Sequence, residues 1–120
     1  MKDTLIVGLE AESSYSVTED MSPPHLPMKV LSTPAMIQLI EGTCLAAAQP
    51  HLDENETTVG THVNVSHAGP ASAGEEVTVK VKLTEINKRR LTFETQVLSP
   101  RGSISDGSHQ RAVIDTSRFG

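Results

Sequence analysis

One acid stands alone in a long apolar stretch of the chain. Glu41 is the only charged residue from Ser32 to Pro50. A carboxylate in an apolar environment is costly unless it is paired or neutralised. Glu41 therefore either does chemistry, as a nucleophile or general base, or lies on a narrow exposed strip or a subunit seam.

His67 is the second candidate. The alternation of the preceding strand places the odd-numbered residues 59–67 on one side. If Val63 and Val65 face the helix, His67 does too, at a strand end where catalytic groups are common. The alternative is a solvated strand-end histidine. A carboxylate facing it would orient and charge the imidazole, which then serves as an acid or base near neutral pH.

Thr33 lies where the helix that carries Glu41 should begin. Pro34 suits the first helical position, which makes Thr33 the expected N-cap. A helix N-terminus offers unpaired N–H groups and a partial positive charge, and these can hold an oxyanion. Thr33 is therefore either a plain N-cap or a substrate-holding group.

The other reactive side chains form no recognisable site. His62 and His67 fall on opposite strand faces, and no histidine pair has the spacing of a helical metal site, so we expect no metal. Cys44 falls on the apolar stripe of the helix, which favours a buried thiol over a nucleophile. The sequence contains no Gly-x-Ser-x-Gly elbow, P-loop or dinucleotide fingerprint.

One helix and several strands must position these residues. The helix is predicted from about Pro34 to Gln49, with Pro50 ending it. Its apolar residues recur at i, i+3 and i+4 and are Met36, Leu39, Ile40, Thr43, Cys44 and Ala47. Because this helix is apolar nearly all round, it is expected to be buried.

Alternation with a period of two dominates the rest of the chain. It predicts strands over 59–66, 77–84 and 91–97, and a more ambiguous one over 108–116. Hairpin loops are predicted at 87–90 and 100–102, and a proline-rich loop at 22–27. Shorter strand signals precede the helix at 5–7 and 15–17.

This order of elements predicts an α+β hot-dog fold, in which a curved antiparallel sheet wraps around one central helix. Another α+β sandwich is the alternative. One domain should span residues 1–120. The open sheet edge and the apolar surface of so small a unit predict a homodimer or a dimer of dimers.

The composition excludes several partners. The 120 residues carry a formal charge of −5 and are only 2% aromatic, which argues against binding nucleic acid. The basic run 88–90 is predicted to be a solvated turn. No apolar run approaches the ~20 residues of a membrane span, and the N-terminus lacks a signal-peptide core. Together with the single cysteine, this predicts a cytoplasmic protein without a membrane partner.

Three motifs resemble one family of hot-dog enzymes. Ser32–Cys44 resembles the central helix of the fluoroacetyl-CoA thioesterases. Val59–His67 resembles their Gly-Thr-x-x-x-Val-(Ser/Thr)-His strand, and Gly107–Ile114 resembles their Gly-x-His-x-Arg-Ala-Val-Ile strand. The match extends from about residue 28 onward, and the three motifs together are more specific than any one of them.

The resemblance implies a thioesterase that hydrolyses a short or small acyl-CoA, with CoA as part of the substrate and no cofactor. Its catalytic Thr, Glu and His fall on Thr33, Glu41 and His67. It also implies acyl-CoA contacts at Gly60 and Arg111.

The segment before the helix departs from the family. Members carry phenylalanines there as a lid over the acyl group, whereas Met21–Leu31 contains none. The resemblance therefore does not extend to fluoroacetyl selectivity. Other functions also stay open: a non-catalytic acyl-CoA binding protein, a hot-dog hydratase or dehydratase, and a structural dimer without a ligand.

The spacing of the catalytic set poses a geometric problem. Glu41 lies eight residues after Thr33 along the helix, a rise of roughly 12 Å, so both cannot touch one atom on a straight helix. Either the regular helix starts later, or the groups meet from different subunits.

Overall fold

The computed structural model describes residues 1–118 of the chain. Over this range a single α-helix packs on one face of a five-stranded antiparallel sheet; the elements are β1 (Glu10–Ser16), α1 (Thr33–Ala48), β2 (Glu56–Val65), β3 (Glu76–Asn87), β4 (Arg90–Ser99) and β5 (Gly102–Asp115). The strand order is β1-β3-β4-β5-β2, which leaves β1 and β2 as edges. Within residues 1–118, no helix has the length and apolar character needed to cross a membrane.

Ser32 caps the helix. Its side-chain hydroxyl accepts the Ala35 N–H at 3.2 Å, and its backbone is extended. Thr33 is therefore the first helical residue, and the prediction that it is the N-cap was wrong by one position because Ser and Thr both serve as caps. The helix ends at Ala48, and Pro50 lies in the short 3₁₀ turn Gln49–His51.

The buried side of α1 follows the predicted stripe. Its buried residues are Met36, Ile40, Thr43, Cys44, Ala47 and Ala48, and they share a core with inward-facing strand residues such as Leu83 and Phe93. Burying a side chain of this size stabilises the fold by roughly 1.5–3 kcal/mol. Leu39 is only half-buried, and Gly42 and Ala46 on the outer side are exposed in the single chain, so the helix is not buried all round.

Strand β2 contains a bulge at Thr61. Gly60 lies opposite Arg111, whereas His62 lies opposite Gln110, so Thr61 is an extra residue. A one-residue bulge interrupts the alternation of a strand, so even-numbered residues face the core before Thr61 and odd-numbered residues face it afterwards. Gly60 therefore faces the helix before the bulge, while Val63 faces it afterwards. The single face predicted for residues 59–67 is wrong for this reason, and β2 ends at Val65, before His67.

Other boundaries also differ from the predictions. Residues 5–7 form no strand, and β1 covers Glu10–Ser16. The last strand begins at Gly102, well before residue 108, because Pro100 and Arg101 alone make its turn. The β3–β4 turn likewise narrows to Lys88 and Arg89.

The loop that carries His67 is fixed at both ends. Ser66 N–H donates to Asp106 and Ala68 N–H to Ile104 through backbone bonds of 3.0 and 2.7 Å. Farther along, both Nη atoms of Arg101 donate to the Glu75 carboxylate at 2.7 and 2.8 Å, and one also donates to the Pro70 carbonyl. Hydrogen bonds from Arg101 are the main cause that lowers the pKa of Glu75 to about 2. These contacts hold His67 in a defined position beside the helix.

Candidate active site

His67 and Thr33 form a direct pair. Thr33 Oγ1 and His67 Nδ1 lie 2.7 Å apart, which joins the start of α1 to the loop after β2. They border an open groove of about 380 Å³ whose other walls include Pro23, Leu26 and Val30. The proline-rich loop thus lies beside this pair and gives the groove apolar walls.

Glu41 lies two turns farther along α1, over bare backbone. A Cβ atom on Gly60 would collide with Glu41 Oε1, so this carboxylate can occupy its position only because residue 60 is glycine. The Glu41 side chain is 39% exposed to solvent. It therefore lies at the boundary between the core and the open edge of β2, not deep among apolar residues.

A buried arginine underlies this carboxylate. Arg111 Nη1 is 3.6 Å from Glu41 Oε1, and the arginine is only 5% exposed. Its Nε donates to Thr58 Oγ1 at 2.7 Å and its Nη2 to the Thr58 carbonyl at 3.0 Å. A buried guanidinium needs such partners, and they hold one edge of the Arg111 group beneath Glu41.

A buried histidine completes the group. His109 Nε2 lies 3.0 Å from Arg111 Nη1 and 3.7 Å from Glu41 Oε1, while its Nδ1 lies 2.7 Å from the His62 carbonyl. Reasoning from the residues did not single out His109. The available signal was its position two residues before Arg111 on one strand, which places both side chains on the same face.

Burial is the main cause of the pKa shifts of His109, Arg111 and Cys44. It lowers the pKa of His109 below the usual 6.5, helped by the nearby charge of Arg111 and opposed by the bond to His62. Burial also lowers the pKa of Arg111, yet a guanidinium stays charged at neutral pH. Burial raises the pKa of the Cys44 thiol to about 12, which disfavours a thiolate nucleophile.

Within one protomer the candidate residues form two groups. Thr33 and His67 lie together, and Glu41 lies with Gly60 and Arg111. The regular helix begins at Thr33 itself, so the roughly 12 Å of axial rise between Thr33 and Glu41 is real. The sequence left two explanations of this spacing open: a helix that starts later, or groups that come from different subunits. The observed start of α1 excludes the first.

The described residues offer no metal centre. Within residues 1–118, no three His, Cys, Asp or Glu side chains are placed to hold one ion together.

The stability of the fold should depend on pH through His109. Because its pKa is lowered on folding, the unfolded chain binds more protons near pH 6.5, and the free energy of unfolding falls as the pH drops through that value. Tm measured between pH 7.5 and 5 should decrease in the wild type and less steeply in His109→Gln. The control His25→Gln, at an exposed position, should keep the wild-type slope. Equal slopes for all three proteins would contradict this assignment.

Solved structures with the same architecture define the class. The structure of the fluoroacetyl-CoA thioesterase FlK matches with a TM-score of 0.91 and 28% identity, covering 98% of this chain and 93% of that one. A thioesterase superfamily member from Thermus thermophilus shares the fold, with a TM-score of 0.87 and 21% identity over 95% of this chain and 87% of its own. The protein thus has the hot-dog fold of the thioesterases, as predicted.

Sequence comparison gives the family. The model of the FlK family, described as fluoroacetyl-CoA-specific thioesterase, matches residues 12–117. The fluoroacetyl-CoA thioesterase of Streptantibioticus cattleyicolor is 30% identical over 128 residues, covering 99% of this chain and 92% of the relative. The chain belongs to the fluoroacetyl-CoA-specific thioesterase family, which confirms the resemblance of its three motifs.

Proposed function

We propose that this protein is a thioesterase that hydrolyses short acyl-CoA thioesters to a carboxylate and CoA. The observation that carries the proposal is the Glu41 carboxylate held over the bare backbone of Gly60 and against Arg111. A thioester can approach a carboxylate there without meeting a side chain. Family membership supports the reaction class, and one solved complex of a FlK variant holds fluoroacetate and CoA. CoA is part of the substrate, and the reaction uses no cofactor.

The active unit in this proposal is a homodimer joined through β2. This strand is a free edge, and Val63 on it is an exposed large apolar residue. Pairing two copies of β2 about a twofold axis would satisfy the open edge and cover this residue. Two such dimers could associate further into a dimer of dimers.

Dimer formation would also bring the two groups of the site together. In an antiparallel pair with its twofold axis near Val63, Ser66 lies opposite Gly60 of the partner subunit. Because Glu41 lies over Gly60, His67 would then stand close to Glu41 of the partner subunit. The second solution to the spacing problem, a site shared between subunits, is the one we adopt.

The proposed chemistry divides between the two groups. Glu41 either attacks the thioester carbonyl to form an anhydride that water opens, or takes a proton from an attacking water. His67 protonates the departing thiolate or activates the water. Arg111 Nη1 faces the same space as Glu41 and would contact the acyl carbonyl oxygen.

Thr33 would hold the substrate at the start of the helix. Ala35 N–H is bonded to Ser32, and Pro34 has no N–H. The Thr33 N–H has no partner within residues 1–118, and with the Thr33 hydroxyl it could bind an oxyanion.

The proposal also covers the kind of acyl group, the domain organisation and the cellular location. The groove beside His67 has walls from Pro23, Leu26 and Val30, which suit a small apolar acyl group and provide no aromatic lid. The chain would act as one domain over residues 1–120. A cytoplasmic location fits its single cysteine, a free and buried thiol.

A thiol-release screen tests the proposed function. Purified protein is incubated with acetyl-, fluoroacetyl- and longer acyl-CoA thioesters, and free CoA is measured with DTNB. We expect release from short acyl-CoA substrates, with fluoroacetyl-CoA showing no special advantage. Saturable acyl-CoA binding without thiol release would identify a non-catalytic binding protein and refute the proposal.

Adding one methyl group at residue 60 should separate activity from folding. In Gly60→Ala the new Cβ displaces the Glu41 carboxylate, which is the flexible end of a side chain, and comes within 3.2 Å of His109 Cε1, so the fold should survive with a small shift of that ring. A displacement of about 1 Å at a reacting group lowers kcat by about 100-fold, and kcat and Tm would both be measured. Gly42→Ala is the control, since a Cβ there meets nothing within 4 Å. Similar kcat values for both variants would show that the approach to Gly60 is unimportant.

A further inference from the structure

His109 is a fully buried imidazole that the proposed chemistry leaves without a role. It is 0% exposed and lies inside the sheet face that packs on α1, opposite Val63 of β2. Its ring contacts a backbone carbonyl on one side and a guanidinium on the other. A buried imidazole must have its nitrogens paired whatever its role, and here one of the two partners is Arg111 of the proposed site.

The partners fix the tautomer of this ring. The His62 carbonyl can only accept, so His109 Nδ1 must carry the proton and donate. Arg111 has no acceptor, so its Nη1–H donates and His109 Nε2 must be the bare acceptor. The ring is therefore neutral, since a proton on Nε2 would face the Arg111 N–H.

The bulge at Thr61 sets up this arrangement. It breaks the regular pairing between β2 and β5, and the first carbonyl after it, that of His62, accepts the His109 N–H. A hydrogen-bonded chain then runs from the β2 backbone through His109 to Arg111. It ends on the nitrogen atom that lies 3.6 Å from Glu41 Oε1.

We infer that His109 is a positioning residue of the active site: as a neutral acceptor it holds Arg111 Nη1 in place against Glu41. The inference rests on the proposed function, because Glu41 and Arg111 are its reacting groups. Thr58 holds one edge of the planar Arg111 guanidinium, through Nε and Nη2, and His109 holds the opposite end at Nη1, which stops the group tilting about that edge. Without His109 the guanidinium could tilt about the edge bound to Thr58, and Nη1 would shift relative to Glu41.

Two amide variants separate this role from simple packing. The amide oxygen of a glutamine reaches the position of Nε2, so His109→Gln keeps an acceptor for Arg111. The amide nitrogen of an asparagine lies near the position of Nδ1, so His109→Asn keeps the donor to His62 and loses the acceptor. Both variants replace a ring with a smaller side chain.

The expected result is a split in kcat. With the acyl-CoA substrate that the wild type hydrolyses fastest, His109→Asn should lose about 100-fold in kcat, as for a misplaced reacting group. His109→Gln should keep at least ten times the kcat of the asparagine variant, and KM should change less than kcat in both. Because glutamine also fills the site better than asparagine, His109→Leu, which is close to glutamine in size but has no acceptor, is the packing control and should be as slow as the asparagine variant. Equal kcat values for the glutamine and asparagine variants, or for the glutamine and leucine variants, would overturn the inference.

A measurement on the wild-type protein keeps the inference testable if neither variant folds. Long-range ¹⁵N–¹H correlation spectra at pH 7 report which imidazole nitrogen is protonated. We expect the neutral Nδ1–H form for His109, and an Nε2–H or doubly protonated ring would overturn the inference. If the wild type releases no thiol, the proposed function fails, while the tautomer still decides whether His109 can hold Arg111.

Discussion

Replacing Glu41 with glutamine should abolish thiol release, with a fall in kcat of about 1,000-fold. Glutamine has nearly the same shape but can neither attack a carbonyl nor accept a proton, and general acid–base groups contribute about 10²–10⁴ in rate. The KM for acyl-CoA should change little, because the groove beside His67 is untouched. DTNB release under saturating substrate measures the effect.

The control for this variant must account for Arg111. Glu41 is the acid beside that buried guanidinium, so its neutralisation should also lower stability, by about 1 kcal/mol for a partly exposed partner. A Tm measurement separates this effect from the catalytic one. Glu94→Gln makes the same chemical change at an exposed position on β4 and should leave kcat at the wild-type value. A Glu41→Gln protein with wild-type turnover would remove Glu41 from the mechanism.

Two inactive variants should restore activity when they share a dimer. If each site combines Thr33 and His67 of one subunit with Glu41 of the partner subunit, a dimer of one Glu41→Gln chain and one His67→Ala chain contains one intact site and one doubly altered site. Such heterodimers should show about half of the wild-type kcat per dimer, whereas each parental homodimer has two damaged sites. The kcat of the mixed dimers should therefore be far higher than that of either parental homodimer.

Co-expression with two different affinity tags provides the heterodimer. Sequential purification on both tags isolates mixed dimers, and DTNB release is compared with the two parental dimers. Doubly tagged dimers in which both chains carry Glu41→Gln are the control for contamination. Mixed dimers as inactive as their parents would place the complete site within one chain, and failure to recover any doubly tagged dimer would argue against the homodimer.

The sequence predicted the fold well because its signals are local. The apolar spacing of α1 and the alternation in β3 and β4 are each set by neighbouring residues, and the structure contains both patterns. Glu41 was identified because no other charge lies near it in the sequence. The start of the helix was displaced by one residue because Ser32 and Thr33 have equivalent capping groups.

The arrangement of the site was harder to predict because it depends on one irregularity. The prediction that odd-numbered residues up to His67 face the helix requires an unbroken strand. The bulge at Thr61 interrupts that strand. The same bulge explains why Gly60 faces Glu41. The polar contacts of His109 join β5 to β2 across a long separation in sequence, and no pattern along a single segment contains that information.

The bulge at Thr61 also sets a rule for protein engineering. Substituting Thr61 changes one exposed side chain, and deleting it would join Gly60 to His62, whose partners Arg111 and Gln110 are already neighbours on β5. Val63 and Val65 would keep their faces after such a deletion, because the bulge only absorbs an extra residue. Regular pairing of Thr61 with β5 would instead turn His62 and Asn64 toward the core. The register on the two sides of the bulge is therefore the constraint on this strand, and grafts or chimeras should keep Gly60 opposite Arg111 and His62 opposite Gln110.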